Sequence, residues 1–272
     1  MAGTKPWWWH KLRPKHPAVH SDFHGLRFVL YWHTSMDHDF VDKTVLITGA
    51  AGDIGRSLCQ RFLALQANVY QTDIRETAAP NFTSGDVSDP DFVKAWINGI
   101  LSQTDRIDVL LNVAGICPRT PLANVEAEEW DQVLRVNLRS TFLLSQMAIA
   151  SMITQKSGAI VNFASLAGQV GGIAVGAHYS ASKAAIGALT KSLARTGAPH
   201  GVRVNAVAPG IIDTSMTTDA GPEKVNQLIQ SIPMARLGGI DEVVQPIVFL
   251  ASSQASYITG TTLDINGGIY MN

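Results

Sequence analysis

The chain has 272 residues, of which 46% are hydrophobic and 16% are charged, and its formal net charge is −1 at pH 7. This length and apolar content suit one or two globular domains with a large core, and the near-neutral charge gives no indication of a nucleic-acid or membrane-surface partner. No apolar run reaches the roughly 18 residues that a membrane span needs, and the two cysteines, Cys59 and Cys117, follow no metal or disulfide spacing, which favours a reducing cytosol.

The first 35 residues differ from the rest of the chain, because they are rich in histidine and tryptophan and show neither helical nor alternating apolar periodicity. Pro14 and Pro17 interrupt any helix that would bring the histidines together as metal ligands. We therefore expect residues 1–35 to be a disordered extension or a start-site artefact. The sequence from Met36 reads like a natural beginning, because it leads at once into a strand. We expect residues 36–272 to form a single domain that does not need the extension.

From Lys43 onward, apolar β-rich segments alternate with helical patterns. The predicted strands are Thr44–Thr48, Ala67–Thr72, Asn81–Gly85, Ile107–Val113, Ala159–Ala164, Val202–Ala208 and Thr261–Ile265. The predicted helices are the one whose face carries Ile54, Leu58, Phe62 and Leu65, followed by Asp89–Ser102, Ala127–Gln155, Tyr179–Ala198 and Asp241–Ser252. This alternation predicts an α/β fold, a Rossmann-type doubly wound sheet of seven parallel strands with helices on both faces. Ligands bind such sheets beyond the carboxyl ends of the strands.

The sequence "LITGAAGDIG" places Gly49, Gly52 and Gly55 between the first strand and the first helix. Glycines there let the backbone turn sharply and approach a pyrophosphate, which the helix N-terminus stabilises. Such a turn also occurs without a ligand, so the prediction of a dinucleotide site depends on the residue at the end of the next strand. That strand ends at Asp73, 18 residues after Gly55, where an acid accepts hydrogen bonds from an adenosine ribose. A carboxylate there repels a ribose 2′-phosphate and favours NAD over NADP.

Two further acids belong to this end of the sheet. Asp53 is expected at the helix N-terminus, where a carboxylate is favourable, and would add to the bias against NADP if it faces the adenosine ribose. Simple helix capping explains it equally well. Asp86 follows the third strand and is expected either at the adenine edge or as a cap of its own loop.

A second cluster lies at the chemical end. Tyr179 and Lys183 are four residues apart and share one helix face, so that the ammonium is expected to lower the pKa of the phenol and make it a general acid/base. Ser165 follows the strand "AIVNFAS" and either holds a substrate oxygen or caps a turn. Asn137 interrupts the apolar face of a long helix and either links Lys183 to solvent through water or is a structural amide.

These motifs together resemble the short-chain dehydrogenase/reductase family over about residues 40–272. "TGAAGDIG" is similar to the family's cofactor turn, "NVAG" to its strand-four motif, "YSASK" to its catalytic pair and "PGIIDT" to the stretch that meets the nicotinamide. The chain departs from the family pattern at Asp53, which replaces the usual middle glycine, and at Val113, where a second Asn is common.

The resemblance implies that Asn137, Ser165, Tyr179 and Lys183 form a catalytic tetrad. It implies that Thr214 contacts the carboxamide, and that Asn112 stabilises the central sheet. The expected cofactor site consists of Gly49, Asp53, Ile54, Gly55, Asp73, Asp86, Val87, Asn112, Ala114, Gly115, Tyr179, Lys183, Pro209, Gly210, Ile212 and Thr214.

We therefore expect an NAD-dependent oxidoreductase that interconverts a secondary alcohol and a ketone by hydride transfer. One alternative is an NADPH-dependent carbonyl reductase, which Asp73 and Asp53 oppose. The other is a catalytically silent cofactor-binding protein on the same fold, which the intact tetrad opposes.

A sugar, polyol or hydroxy acid is the preferred substrate, because Arg119 and His178 are placed to meet an anionic or polyhydroxylated group. Both are equally well explained as surface or loop residues. The other candidate pocket residues are Ile116, Pro118, Gln169, Val170 and the segment 215–236, which resembles the family's mobile lid.

The long predicted helices carry apolar or small residues on more than one face, and a second apolar stripe needs a cover. The residues of these stripes are Leu138, Phe142, Leu143 and Met147 on one helix, and Ala181, Ala184, Ala188 and Leu189 on the other. The resemblance implies that such helices pair across a two-fold axis, commonly within a homotetramer. It also implies that a C-terminal tail such as Ile269, Tyr270 and Met271 reaches a neighbouring subunit near its substrate pocket.

Overall fold

A computed structural model describes residues 38–172, 175–218 and 221–271. The expectations for residues 1–35 and for a beginning at Met36 lie outside the described residues.

One seven-stranded parallel sheet organises the described chain. Its strands are β1 (Thr44–Thr48), β2 (Asn68–Asp73), β3 (Phe82–Ser84), β4 (Val109–Asn112), β5 (Gly158–Phe163), β6 (Val202–Pro209) and β7 (Thr262–Ile265). They lie in the order β3-β2-β1-β4-β5-β6-β7. The predicted Rossmann-type fold is confirmed, and every strand matches its expected range to within two residues. The order reverses between β1 and β4, which opens a crevice at the carboxyl ends of these two strands.

Helices cover both faces of the sheet. They are α1 (Asp53–Ala64), α2 (Pro90–Thr104), α3 (Ala127–Leu134), α4 (Ser140–Gln155), α5 (Ala167–Val170), α6 (Ala177–Gly197), α7 (Ser215–Thr218), α8 (Pro222–Gln230) and α9 (Ile240–Ala251). Periodicity did not predict α5, α7 or α8, because two of them span a single turn and α8 lies in the segment we interpreted as a lid. Within the described residues, no helix combines the length and apolar character that crossing a membrane would require.

The helix predicted over Ala127–Gln155 is interrupted. Residues Arg135–Arg139 form a π turn between α3 and α4, and Asn137 lies at its centre with no exposed surface. Such wide turns inside α-helices occur frequently at functional sites. The prediction of one regular helix was therefore wrong at the residue that interrupts its apolar face.

Alternation along β1 builds two hydrophobic cores. Val45 and Ile47 pack in one core with α1 and α9, whereas Leu46 packs in the other with α2, α4 and α6. All five residues of β1 are buried, as expected for a central parallel strand. Phe40, which precedes the sheet, contributes to the first core and meets Phe62 edge to face at 4.9 Å between ring centroids. The two covered faces hold the carboxyl ends of the strands as a fixed platform for the site.

Candidate active site

The glycine turn after β1 is shaped by its own packing. Gly49 has a φ of 67°, and a Cβ there would lie 2.8 Å from the Ala114 backbone. A Cβ at Gly55 would lie 2.1 Å from the Gly49 carbonyl oxygen. Thr48 fastens the same region, because its Oγ1 accepts hydrogen bonds from the Val113 and Ala114 amides at 3.1 and 3.2 Å. Both glycines are therefore required to bring the turn and the strand-four motif together.

This turn delivers the N-terminus of α1 to the crevice. The first amides of a helix, here those of Asp53, Ile54 and Gly55, have no partner within the helix. They and the helix dipole favour an anionic group such as a phosphate. The residues present therefore fit the pyrophosphate of a dinucleotide.

Asp73 lies at the carboxyl end of β2 and is 8% exposed. Its Oδ2 accepts a hydrogen bond from the Ala51 amide at 3.0 Å, and its Oδ1 accepts bonds from the Arg75 amide at 3.0 Å and Nε at 3.2 Å. Burial alone would raise the pKa of this carboxyl, but the bonds from Arg75 and Ala51 outweigh burial and lower it. Asp73 is thus a carboxylate beside the phosphate-binding turn. Its neighbour Arg75 is the nearby cation.

Asp86 and Val87 serve the loop and the core. The Asp86 Oδ1 accepts a hydrogen bond from the Ser88 amide at 2.8 Å, which is the loop-capping arrangement. Val87 is buried in the second core. The structure therefore supports the capping alternative for Asp86. It gives Val87 a packing role.

Asp53 does not cap α1, and its carboxylate is held by Ser215 at the start of α7. Its Oδ2 accepts hydrogen bonds from the Ser215 amide and Oγ, both at 2.8 Å. These bonds, led by the one from the amide, lower the pKa of Asp53. The Asp53 carboxylate is thus engaged by two donors of the lid segment, in place of the contact with the adenosine ribose that we expected. Asp53 therefore gives no argument against NADP.

Ser165, Tyr179 and Lys183 meet at the carboxyl end of β5. Ser165 Oγ accepts a hydrogen bond from the Ala167 amide at 3.1 Å and lines one cavity with Lys183, and Ser165 lies close enough to Tyr179 to affect the pKa of its phenol. The Lys183 Nζ lies 5.8 Å from the centroid of the Tyr179 ring and donates to the Phe163 carbonyl at 2.7 Å. Burial lowers the pKa of Lys183 to about 8, so that its ammonium form still prevails at pH 7.

The pKa of Tyr179 does not follow the expected direction. Burial of the hydroxyl raises it, the charge of Cys117 adds to this effect, and Ser165 offsets only part of it. The net shift is therefore opposite to the expected one, because desolvation of the phenolate outweighs the groups that favour it.

Asn137 is fully engaged with protein groups. Its Oδ1 accepts a hydrogen bond from the Ile116 amide at 2.8 Å, and its Nδ2 donates to the Ile116 carbonyl at 2.9 Å and to Ser182 Oγ at 3.0 Å. A Cβ at Gly115 would lie 3.2 Å from Asn137 Oδ1 and 3.5 Å from Lys183 Nζ. The side chain therefore acts as a structural amide that holds the loop after β4 beside the lysine.

Asn112 ties the central strands to the helices. Its Nδ2 donates to Ser145 Oγ at 3.0 Å and to Asn162 Oδ1 at 2.8 Å, and Asn162 in turn donates to Thr190 Oγ1 at 2.9 Å. These contacts agree with a sheet-stabilising role.

The "PGIIDT" segment closes the site behind β6. Pro209 ends that strand, the Gly210 amide donates to the Ile265 carbonyl, and Ile212 is buried and bridges to Gly238. Thr214 is the residue directly before α7. Its contact with the carboxamide of the nicotinamide remains a prediction.

The three candidate substrate residues differ in placement. Arg119 is exposed and donates from Nη2 to the Met216 carbonyl in the lid segment at 2.8 Å. Gln169 donates to Asp264 Oδ1 at 2.6 Å and lines a cavity of about 390 Å³ together with Ser165 and Lys183. His178 has no exposed surface. The expectation that His178 contacts substrate was therefore wrong.

Cys117 is the residue that sequence reasoning missed. Its thiol lies close enough to Tyr179 and Lys183 for both to affect its pKa. Burial raises the pKa of this thiol, and the charges of Arg119 and Lys183 offset part of that shift. The available signal was position, since Cys117 follows the strand-four motif by two residues in a loop that leaves the carboxyl end of β4. Cys59, by contrast, is a buried core residue.

A larger cavity of about 720 Å³ lies at the β7 edge, lined by residues such as Ile212, Met234 and Met271. As far as the structure describes its lining, it contains none of the four tetrad residues. The reacting groups are therefore located by their mutual contacts and not by cavity size. In the described parts of the chain, no three histidine, cysteine or acidic side chains are grouped to hold a metal ion.

Comparison with known proteins gives consistent similarities. Residues 49–270 match a family model described as enoyl-(acyl carrier protein) reductase. The chain is 40% identical over 243 residues to 3-oxoacyl-[acyl-carrier-protein] reductase of Staphylococcus aureus, an alignment that covers 84% of this chain and 98% of that protein. It is 36% identical over 242 residues to the Salmonella typhimurium reductase of the same name, covering 85% and 99%.

Solved structures agree. The ligand-free aldohexose dehydrogenase of Thermoplasma acidophilum superposes with a TM-score of 0.80 at 35% identity, covering 85% of this chain and 95% of that one. The 3-oxoacyl-[acyl-carrier protein] reductase of Brucella melitensis gives the same TM-score at 32% identity, covering 94% and 100%.

Proposed function

Because the chain belongs to the short-chain dehydrogenase/reductase family and is an oxidoreductase, we propose that it interconverts a secondary alcohol and a ketone with NAD as its cofactor. The observation that carries the proposal is the grouping of Ser165, Tyr179 and Lys183: the buried Lys183 Nζ lies 5.8 Å from the centre of the Tyr179 ring and shares a cavity with Ser165. This set of groups also argues against a catalytically silent protein on the same fold.

The proton chemistry follows from these side chains. A nicotinamide dinucleotide held by the α1 N-terminus and Asp73 supplies the hydride acceptor or donor. Ser165 binds the substrate oxygen by hydrogen bonding. In ketone reduction the Tyr179 phenol gives its proton to that oxygen and becomes a phenolate, and in alcohol oxidation the phenolate takes a proton from the substrate hydroxyl. Lys183, charged at neutral pH, stabilises the phenolate as it forms.

The cofactor preference rests on Asp73. Its carboxylate is anionic and lies where a ribose 2′-phosphate would bring further negative charge. A second candidate, an NADPH-dependent carbonyl reductase, is favoured by Arg75, whose guanidinium is largely exposed beside Asp73. The first candidate requires the adenosine ribose of the cofactor to contact the Asp73 carboxylate, and the second requires its 2′-phosphate to contact the Arg75 guanidinium.

The substrate class rests on Arg119 at the mouth of the site. The Arg119 guanidinium donates to a lid carbonyl, and its charge offsets part of the rise in the pKa of the Cys117 thiol. Such a cation suits a small substrate with an anionic or polyhydroxylated group, such as a sugar, polyol or hydroxy acid. Reduction of a 3-oxoacyl thioester is the second candidate, favoured by relatives of that name at 36% and 40% identity.

A two-way assay distinguishes these candidates. NADH formation is measured over sugars, polyols, hydroxy acids and cyclic alcohols, and oxidation of NADH and NADPH is measured with acetoacetyl-coenzyme A. The proposal expects the highest kcat/KM with NAD and a polar alcohol. A higher kcat/KM with NADPH and the thioester would replace it.

Two free thiols, Cys59 and Cys117, suit the reducing cytosol in which we place the protein.

We further propose a homotetramer. Phe142 on α4 is 40% exposed, and Ala184 and Ala188 on α6 are also exposed. The uncovered stripe is narrower than expected, because Leu143, Met147 and Leu189 pack against the second core of their own chain. A self-complementary contact would cover the remaining patch.

Light scattering at micromolar concentration is expected to give four times the chain mass of 29.2 kDa. Phe142→Asp should shift the mass towards smaller species, because a charge cannot be buried unpaired in the contact. A monomer mass for the unaltered protein would contradict the tetramer.

The proposed role of the tail at a neighbouring subunit is separate, since Tyr270 already lines the cavity next to Ser165 in its own chain. Deletion of residues 269–272 should raise KM, and an unchanged KM and mass would show no such role.

A further inference from the structure

One carboxylate oxygen joins the catalytic helix to the loop after β4. His178 precedes Tyr179 on α6, and its Nε2 lies 3.0 Å from Oε1 of Glu129 on α3. The same Oε1 accepts a hydrogen bond from Thr120 Oγ1 at 2.7 Å. The hydrogen bond from Thr120, followed by that from His178, lowers the pKa of Glu129. Glu129 is therefore a charged acceptor at neutral pH, and charge-assisted hydrogen bonds are the stronger ones.

The loop is also fastened at two earlier positions. Asn137 bonds both the amide and the carbonyl of Ile116. The Gly176 amide donates to the Pro118 carbonyl at 3.0 Å. Gly176 also makes room for the imidazole, since a Cβ there would lie 2.1 Å from His178 Cε1.

The fastened positions, Ile116, Pro118 and Thr120, are alternate residues. Of the residues between them, Cys117 lies close enough to Tyr179 for each to affect the pKa of the other, and the Arg119 guanidinium donates to the Met216 carbonyl of the lid at 2.8 Å. Bonds to the backbone of Ile116 and Pro118 and to the side chain of Thr120 therefore fix the stretch of loop that carries Cys117 and Arg119.

We propose that Glu129 and His178 are positioning residues for substrate recognition: they fix the loop 116–120 against α6, so that Cys117 and Arg119 form the wall of the pocket. This inference rests on the proposed function for its kinetic part only. The groups expected to hold the adenosine and pyrophosphate parts of the dinucleotide, at α1 and β2, lie outside the network, so that its loss should affect substrate binding far more than cofactor binding.

The experiment compares Glu129→Ala with Glu128→Ala, a matched change at the exposed neighbour on the same helix. Glu129→Ala is expected to raise the KM for the alcohol at least tenfold, change kcat less than threefold and leave the Kd for NAD unchanged. Thr120→Val should reproduce this effect from the loop side without touching buried His178. Glu129→Gln, which keeps an acceptor oxygen, should restore most of the affinity. Glu128→Ala should change none of these values.

A second readout does not depend on turnover. Iodoacetamide labelling of Cys117 should become at least fivefold faster in Glu129→Ala, because the loosened loop exposes its thiol. Cys59 is an internal control, since it is buried and burial raises its pKa to about 12. A loss of kcat at constant KM, or a wild-type labelling rate, would overturn the inference. If no substrate is turned over, the proposed function fails, while the labelling rate still tests the loop.

Discussion

Tyr179→Phe is expected to reduce kcat by at least about 1,000-fold, because general acid–base catalysis by one positioned group contributes factors of this order. The Kd for NADH should stay within about twofold, since the phenol moves a proton and adds little ground-state affinity. Steady-state kinetics and fluorescence titration with NADH measure the two quantities. The split between them distinguishes a proton-transfer role from a structural one.

Tyr257→Phe is the matched control, because Tyr257 is fully exposed and the change removes the same atom. It should leave both quantities unchanged. Turnover of Tyr179→Phe within tenfold of the unaltered enzyme would contradict the assigned chemistry. A loss of NADH binding in the same variant would instead indicate that the hydroxyl, beside Ser165 and Cys117, holds the site together.

NAD is expected to give a kcat/KM about 100-fold above that of NADP, which corresponds to about 3 kcal/mol. The physical reason is repulsion between the Asp73 carboxylate and a 2′-phosphate. Asp73→Asn removes the charge but retains an oxygen that the Ala51 amide can use as acceptor. This variant should narrow the ratio at least tenfold, mainly by raising kcat/KM with NADP.

Arg75→Ala tests the opposing charge. If the guanidinium is the group that tolerates NADP, its removal should lower kcat/KM with NADP and leave the value with NAD nearly unchanged. Equal kcat/KM values for the two cofactors in the unaltered enzyme would contradict the NAD preference. A reversed ratio would favour the NADPH-dependent reductase.

Local patterns predicted the parts of the molecule that local geometry determines. The alternation of apolar strands and amphipathic helices predicted the sheet, because parallel strands need helices on both faces. The spacing of Tyr179 and Lys183 predicted a shared helix face, and the end of a strand predicted the places of Asp73 and Ser165. Each of these positions depends on residues within about one turn or one strand.

Contacts between distant loops were beyond the sequence. Asp53 and Ser215 are 162 residues apart, and no pattern in either segment predicts their contact. The contact between Cys117 and Tyr179 arises only when the ends of β4 and β5 meet. The pKa of Tyr179 could not be predicted either, because the helix spacing shows the ammonium but not the depth at which the hydroxyl lies.

The π turn at Arg135–Arg139 has a consequence for insertions and deletions. A π turn holds one residue more than an α turn, so that α3 and α4 keep their inward faces although the spacing of their residues differs by one. Deletion of one residue from this turn would leave both flanking faces in place and displace Asn137. Deletion of Ala150 within α4 would rotate the rest of that helix by about 100° and remove Met152 from the core. We therefore expect the first deletion to abolish activity and to lower the melting temperature only by the loss of the buried Asn137 bonds, and the second to unfold the protein.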